Sequence, residues 1–360
     1  MSRFYMPTKV YAGPDAVTAH AAELAALGTR ALIVTGRNSA AACGAFADVT
    51  GALSSGGIAW EVFSGVEENP SVETVVKAAE SGRGFSADFV VGIGGGSPMD
   101  AAKAVAFLMK RGAINAADLY DKSLPAEALP VAEVPTTCGT GSEVTGVSVL
   151  TVHGKRTKSS IPHRIFPEVS FVDGKYLRTA SRRMLVNTAV DALAHLVESY
   201  ESAKADDFSR GAVMSGLALW KESKDILAGE RAPEDADFHR MMAASSLAGI
   251  AIAQTGTSIP HALSYTLTYD LGLPHGASCG LFLGNFLKAA PAEDQAELNA
   301  AAGFSGTEEF SRFIGDVLPE AKVPGEVLLR AVETVAANEE RLKGCRFRVD
   351  REVLSGIAHI

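Results

Sequence analysis

Short apolar runs ending at glycine or at a hydroxyl-rich loop recur through the first half of this 360-residue chain. They are the feature that most restricts its fold. Ala31-Leu-Ile-Val-Thr35 stops at Gly36, and Ile58-Ala-Trp-Glu-Val-Phe63 stops before Gly65. Phe89-Val-Val-Gly-Ile93 runs into Gly94, and Ala132-Glu-Val-Pro135 precedes a Thr/Gly-rich loop. Residues 72–81 and 99–110 between them read as helices. Strands alternating with helices at this spacing predict a parallel sheet of the α/β class. Ligands of such sheets sit at the carboxyl ends of the strands, where these glycines gather. After about Arg182 the pattern changes, and the Ala/Leu-rich stretches 208–227 and 238–253 predict helices packed on helices. The expected division is an α/β, Rossmann-like dinucleotide-binding domain over 1–181 and an all-helical domain over 182–360.

Composition narrows the function. Hydrophobic residues make up 47% and charged ones 21%, so the chain folds, and its length exceeds what one core usually holds. Its net charge, 33 minus 42 or −9, argues against nucleic acid or an anionic membrane as partner. Cys43, Cys138, Cys279 and Cys345 are scattered, which suggests neither a disulfide framework nor a Cys₄ zinc site. No apolar run approaches the length of a membrane span, and the N-terminus lacks a signal-peptide core. A soluble, cytoplasmic protein is expected.

Two loops and one residue set carry chemistry. Gly94-Gly-Gly-Ser-Pro-Met-Asp100 lies between a predicted strand and a predicted helix. Glycine lets a backbone approach a bulky anion, and the N–H groups at a helix start hold phosphate oxygens. The loop is neither GxGxxG nor a P-loop, and read alone it could be only a tight turn. Pro135-Thr-Thr-Cys-Gly-Thr-Gly-Ser-Glu143 adds hydroxyl donors at the next strand end, and two such loops suit a long diphosphate ligand better than two accidental turns do. In the second half, Asp191 and His195 are four residues apart in a stretch without Gly or Pro, so a helix puts both on one face. His261 follows Pro260 and His275 follows Pro274, each at a predicted helix start or loop. A mixed oxygen and nitrogen set suits Fe²⁺ or Zn²⁺ rather than Ca²⁺ or Mg²⁺. Taken singly, these four read equally well as ordinary core and surface residues.

Gly-Gly-Gly-Ser-Pro-Met-Asp-Ala-Ala-Lys, Pro-Thr-Thr-Cys-Gly-Thr-Gly-Ser-Glu, Val-Asp-Ala-Leu-Ala-His and the His261/His275 pair occur in that order. In this the chain resembles the iron-containing (group III) alcohol dehydrogenase family, of the 1,3-propanediol or butanol dehydrogenase kind, over nearly its whole length. The resemblance implies a dehydroquinate synthase-like architecture, with the metal in the cleft between an α/β domain and a helical domain. It implies Asp191, His195, His261 and His275 as metal ligands. It implies Gly94, Gly95, Gly96, Ser97 and Asp100 as the pyrophosphate and nicotinamide loop, Thr136, Thr137, Thr140 and Ser142 as a second cofactor loop, and Asn69 and Lys158 as further contacts. It also implies Fe²⁺ with Zn²⁺ as second choice, a small alcohol or aldehyde as substrate, and a homodimer. The expected reaction is hydride transfer between NAD(P)(H) and a small primary alcohol or aldehyde. Glycerol dehydrogenase, maleylacetate reductase and dehydroquinate synthase branches are the enzyme alternatives. A non-catalytic nucleotide- or metal-binding protein is the alternative of another class.

Departures from the family pattern refine these expectations. Many members end the first strand with an Asp that disfavours a 2′-phosphate, whereas this chain has Gly36-Arg37-Asn38-Ser39. Arg37 could pair a phosphate, so NADP(H) is expected over NAD(H), with Gly36 and Ser39 beside it. Tyr265 stands where many relatives have a further His; it could relay a proton but is a poor base at neutral pH. Cys138 replaces a frequent Ala and adds an oxidisable thiol. The substrate pocket is expected near Gly146–Val149, Gln254 and Phe282.

Overall fold

The computed structural model describes residues 3–318 and 322–360. Among them the chain forms two compact units. One takes in Met6–Thr137 and Gly141–Ala180. The other takes in Ser181–Ile360, together with Cys138–Thr140 and the stretch ending at Tyr5.

The first unit is built on a six-stranded parallel sheet. Its strands are β1 (Lys9–Ala12), β2 (Arg30–Gly36), β3 (Ala59–Val66), β4 (Phe89–Gly94), β5 (Val131–Pro135) and β8 (Val169–Val172). Their order across the sheet is β1-β8-β5-β4-β2-β3. The two remaining strands, β6 (Val149–Val152) and β7 (Thr157–Ser160), form a separate antiparallel pair. Strands β4 and β5 are buried throughout, which is why they read as unbroken apolar runs. Alternate side chains serve opposite faces: Leu32, Val34 and Val90 enter one core, while Ala31, Ile33, Phe89, Val91 and Ile93 enter the other. Helices Val72–Phe85 and Gly96–Met109 cover the first face, and Ala45–Ser55 covers the second. Ser71 starts the helix Val72–Phe85, its Oγ accepting the Thr74 N–H at 3.2 Å. The strands β1 and β8 lay outside the four apolar runs. β1 is only four residues long and largely exposed, so its hydrophobic pattern is weak.

From β2 the chain moves outward to β3, and from β4 it moves the other way to β5. The order of the sheet therefore reverses between β2 and β4, and the loops after these two strands flank the crevice where α/β sheets bind ligands.

The second unit is helical among its described residues. Its main helices are Arg182–Tyr200, Asp207–Trp220, Asp235–Thr255, Ile259–Leu271, His275–Ala289, Thr307–Val317 and Gly325–Ala336. Ser181 caps the first, accepting the Met184 N–H. Pro260 and Pro274 stand at helix starts, where a missing N–H costs nothing. The expected helix over 208–227 instead breaks at Trp220 into a 3₁₀ turn and a short helix, Lys224–Ala228. No helix among the described residues is long and apolar enough to cross a membrane.

Candidate metal centre and cofactor loops

Helix Arg182–Tyr200 is buried from Ala189 to Tyr200, so Asp191 and His195 point from its inner face into packed protein. His261 is the third residue of the helix Ile259–Leu271, and His275 opens the next helix. The approach of that helix is set by Gly276. A Cβ there would stand 1.8 Å from the Asn187 carbonyl oxygen and 3.2 Å from Asp191 Cβ. Only glycine admits so close a crossing, and the crossing is what brings His275 Nε2 to 3.8 Å from Asp191 Oδ1. His261 Nε2 is 3.4 Å from the same oxygen. The His195 ring stacks on that of His261, with centroids 4.4 Å apart.

Each imidazole is oriented by a second group. His195 Nδ1 faces the Gly139 carbonyl at 3.2 Å, and His261 Nδ1 lies 2.5 Å from Glu198 Oε1. Glu198 is wholly buried, and its other oxygen accepts the Ser258 N–H at the start of the His261 helix. With Nδ1–H donating in both rings, each Nε2 is available to ligate, and that of His261 faces Asp191 Oδ1. The sequence reading did not single out Glu198. It sits one turn after His195 on the same helix, and that spacing was the available signal.

A fifth candidate donor, Cys279, was also missed. Asp191, His261, His275 and Cys279 each offer an atom within 4.8 Å of the others, a group that does not include His195. Two donors bound at about 2.0–2.3 Å to one ion lie at most about 4.6 Å apart, so this spacing is close to that of donors sharing one divalent ion. Asp191 Oδ1 and His261 Nε2 are buried without hydrogen-bond partners. Such orphans are costly unless something else satisfies them, and a cation is what this pair suits. Burial opposes ionisation of Asp191, but the neighbouring His195, His275 and His261 hold its carboxyl well below the usual range. Burial lowers the His195 pKa and keeps it in the neutral, ligating form. Burial would lower His261 as well, but Cys279, Glu198 and Asp191 outweigh it and raise it well above its usual value. Burial pushes the Cys279 thiol up.

Tyr265 lies one turn beyond His261, its ring stacked near that of His275 with centroids 6.1 Å apart, and burial raises its pKa. Cys138 is not the oxidisable thiol expected. It is buried, its Sγ lies 3.3 Å from Thr188 Oγ1, and burial pushes its pKa up to about 11. Phe282 belongs to the core rather than to a pocket wall, and the Gln254 side chain is tied to the Tyr5 backbone.

In the α/β unit the glycine loop follows β4. Gly94 has φ +150, and a Cβ there would meet Pro98 Cγ at 2.6 Å. Gly95 precedes the first turn of helix Gly96–Met109, and a Cβ there would stand 3.2 Å from the Thr137 side chain, a tight contact. Ser97 Oγ accepts the Asn69 N–H at 3.0 Å, and Lys158 Nζ donates to Asn69 Oδ1 at 2.7 Å. These three residues, distant in sequence, thus meet at one place, and Lys158 is not the solvated lysine its local sequence suggests. Asp100 accepts from Ser142 Oγ at 2.6 Å and from the Val149 N–H at 2.8 Å, which ties both loops together. Thr136 Oγ1 is buried without a hydrogen-bond partner. Thr140 belongs instead to the helical unit, with Cys138 and Gly139. Gly36 ends β2, and Arg37 and Ser39 are exposed just after it.

Beneath the loops lies Lys103, fully buried, donating to Ser142 O at 2.6 Å, Ser142 Oγ at 2.7 Å and Val147 O at 3.2 Å. It stands 3.7 Å from Glu133 on β5, whose carboxyl is pushed by burial up to about 8 against the opposing pull of Lys103. Its position three residues after Asp100 on the glycine-loop helix was the signal for this role.

Comparison with known proteins agrees with this arrangement. Residues 7–174 match the model of iron-containing alcohol dehydrogenases, and residues 185–311 match that of the family's C-terminal region. An NADPH-dependent butanol dehydrogenase of Clostridium saccharobutylicum is 31% identical over 80% of this chain and 74% of its own length. A long-chain-alcohol dehydrogenase of Geobacillus thermodenitrificans is 30% identical over 88% of this chain and 84% of its own. The crystal structure of an iron-containing alcohol dehydrogenase from Thermotoga maritima superposes with a TM-score of 0.91 at 37% identity, covering 99% of this chain and 98% of that one. With a parallel sheet leading into a helical half, both halves matched by their models, the chain belongs to the iron-containing alcohol dehydrogenase family.

Proposed function

We propose that this protein interconverts small to medium primary alcohols and their aldehydes, using NADP(H) in preference to NAD(H) and a divalent ion, iron first and zinc second. The observation that carries this reading is the pair of orphaned atoms, Asp191 Oδ1 and His261 Nε2, at the centre of a buried Asp/His cluster. Asp191, His195, His261 and His275 would hold the ion. When bound, it supplies Lewis-acid polarisation of an alcohol or carbonyl oxygen. Three neutral imidazoles and one carboxylate leave the centre about one net positive charge, which suits oxygen that gains negative charge during hydride transfer. Glu198 and the Gly139 carbonyl keep two of the rings in the ligating tautomer.

The α/β unit would hold the cofactor. The N–H groups at the start of helix Gly96–Met109 would donate to a diphosphate, and Gly94 and Gly95 would keep side chains out of its path. Ser97, Asp100, Thr136, Thr137 and Ser142 supply polar contacts, with Asn69 and Lys158 beside them. Arg37, exposed beyond the end of β2 at the point of strand reversal, would pair a 2′-phosphate in this reading. The NADPH dependence named for the Clostridium relative points the same way. In the proton path Tyr265 takes at most a relaying role, since its raised pKa keeps the phenol protonated at neutral pH.

The test is His261→Ala, measured for metal content and for aldehyde reduction with NADPH. Loss of both is expected. Turnover that survives in a metal-free preparation refutes the proposal.

A further inference from the structure

His275 and Cys279 are four residues apart on one helix and share a face of it. Cys279 is fully buried, with Sγ 3.9 Å from His275 Nε2 and 4.0 Å from Nδ1. A buried cysteine is often only a small apolar side chain. Here its sulfur belongs to the same tight cluster as Asp191, His261 and His275, whose donor atoms all lie within 4.8 Å. Two of those atoms, Asp191 Oδ1 and His261 Nε2, are buried and unpartnered. An ion that satisfied them would meet a sulfur donor at the same point.

We propose that Cys279 is a sulfur donor to the metal centre, giving it a mixed nitrogen, oxygen and sulfur environment that strengthens binding of Zn²⁺ and Co²⁺ more than that of Fe²⁺. This rests on reading the Asp/His set as a metal centre. Thiolate is a softer ligand than imidazole or carboxylate, and it raises affinity most for thiophilic ions. On binding, the S–H bond breaks, the proton passes to solvent, and a sulfur lone pair is donated to the ion. No oxidant or reductant is required. The consequence is a centre whose resident metal is biased by Cys279 and not only by metal supply.

The full chain, stripped of metal, is titrated with Co²⁺ and followed by near-ultraviolet absorption. A thiolate-to-cobalt charge-transfer band saturating at one equivalent is expected. Cys279→Ser should still bind one cobalt but lose the band, while Cys138→Ser keeps it. In chelator competition, Cys279→Ser should weaken Zn²⁺ binding about 10–100-fold, and Fe²⁺ binding less. X-ray absorption of the zinc-loaded native chain, which needs no variant to fold, should show a sulfur neighbour at about 2.3 Å. Cobalt bound without the band, or zinc without the sulfur neighbour, overturns the sulfur donor and leaves the Asp/His centre standing. A chain that takes up no ion at all overturns both.

Discussion

The glycine loop after β4 and the Asp/His cluster of the helical unit solve opposite problems. The loop works by leaving side chains out, so that backbone N–H groups at the start of Gly96–Met109 are presented directly. The cluster works by bringing side chains in, from three helices, to a largely buried point. A backbone site depends on space and on helix direction, whereas a side-chain site depends on how closely helices cross and on what holds each ring. The two should therefore fail in different ways.

Gly276→Ala should do the most damage, because its new methyl group would collide with Asn187 O at 1.8 Å. Forcing helix His275–Ala289 away should cost about 3 kcal/mol or more and release the metal. Gly315→Ala is the matched control: that helical glycine has nothing within 4 Å of an added Cβ. There a stabilisation of about 0.5–1 kcal/mol is expected in urea unfolding. Equal losses at both positions would break the comparison.

Glu198→Gln comes next. It keeps the shape but removes the carboxylate that faces His261 Nδ1, and metal affinity measured against a chelator should fall about 10–100-fold with folding intact. In the α/β unit, Arg37→Ala should lower kcat/KM for NADPH about tenfold and leave NADH nearly unchanged, the size expected for losing one charge-assisted contact. A parallel loss with both cofactors would remove Arg37 from phosphate recognition.

A pH-dependent effect concerns Glu133. Its folded pKa, about 8, lies above its unfolded value, so its contribution to stability is fully present below the unfolded pKa of about 4.5 and is lost as pH rises through 8. Unfolding free energy should decline over that range, and Glu133→Gln should flatten the decline. An unchanged slope in the variant would show that Lys103 already keeps Glu133 ionised.

The two regions also differed in how far the sequence revealed them. Phe89-Val-Val-Gly-Ile93 and the three glycines after it advertise a buried parallel strand and a turn, because apolar continuity and missing side chains are both local facts. Asp191 and His195 were legible for the same reason, being four apart on one helix. Cys279 and Glu198 were equally close in sequence to ligands, yet buried cysteine and glutamate carry no local sign of what they face. The meeting of Asn69, Ser97 and Lys158 was not readable at all, since it follows from the pairing of β6 with β7 and from how that pair folds back on the loop before Ser71. The short strands β1 and β8 were silent because four residues give too little periodicity.

The excursion at Cys138–Thr140 places a limit on modularity. His195 leans on the carbonyl of Gly139, and Gly139 packs so tightly on Thr188 that a Cβ would meet its carbonyl oxygen at 2.7 Å. A helical half cut out at Ser181 would leave that support behind with the preceding segment. Recombination between relatives at the apparent domain border should therefore yield chimeras with a misdirected imidazole, unless the three-residue strap is inherited along with the helices it braces.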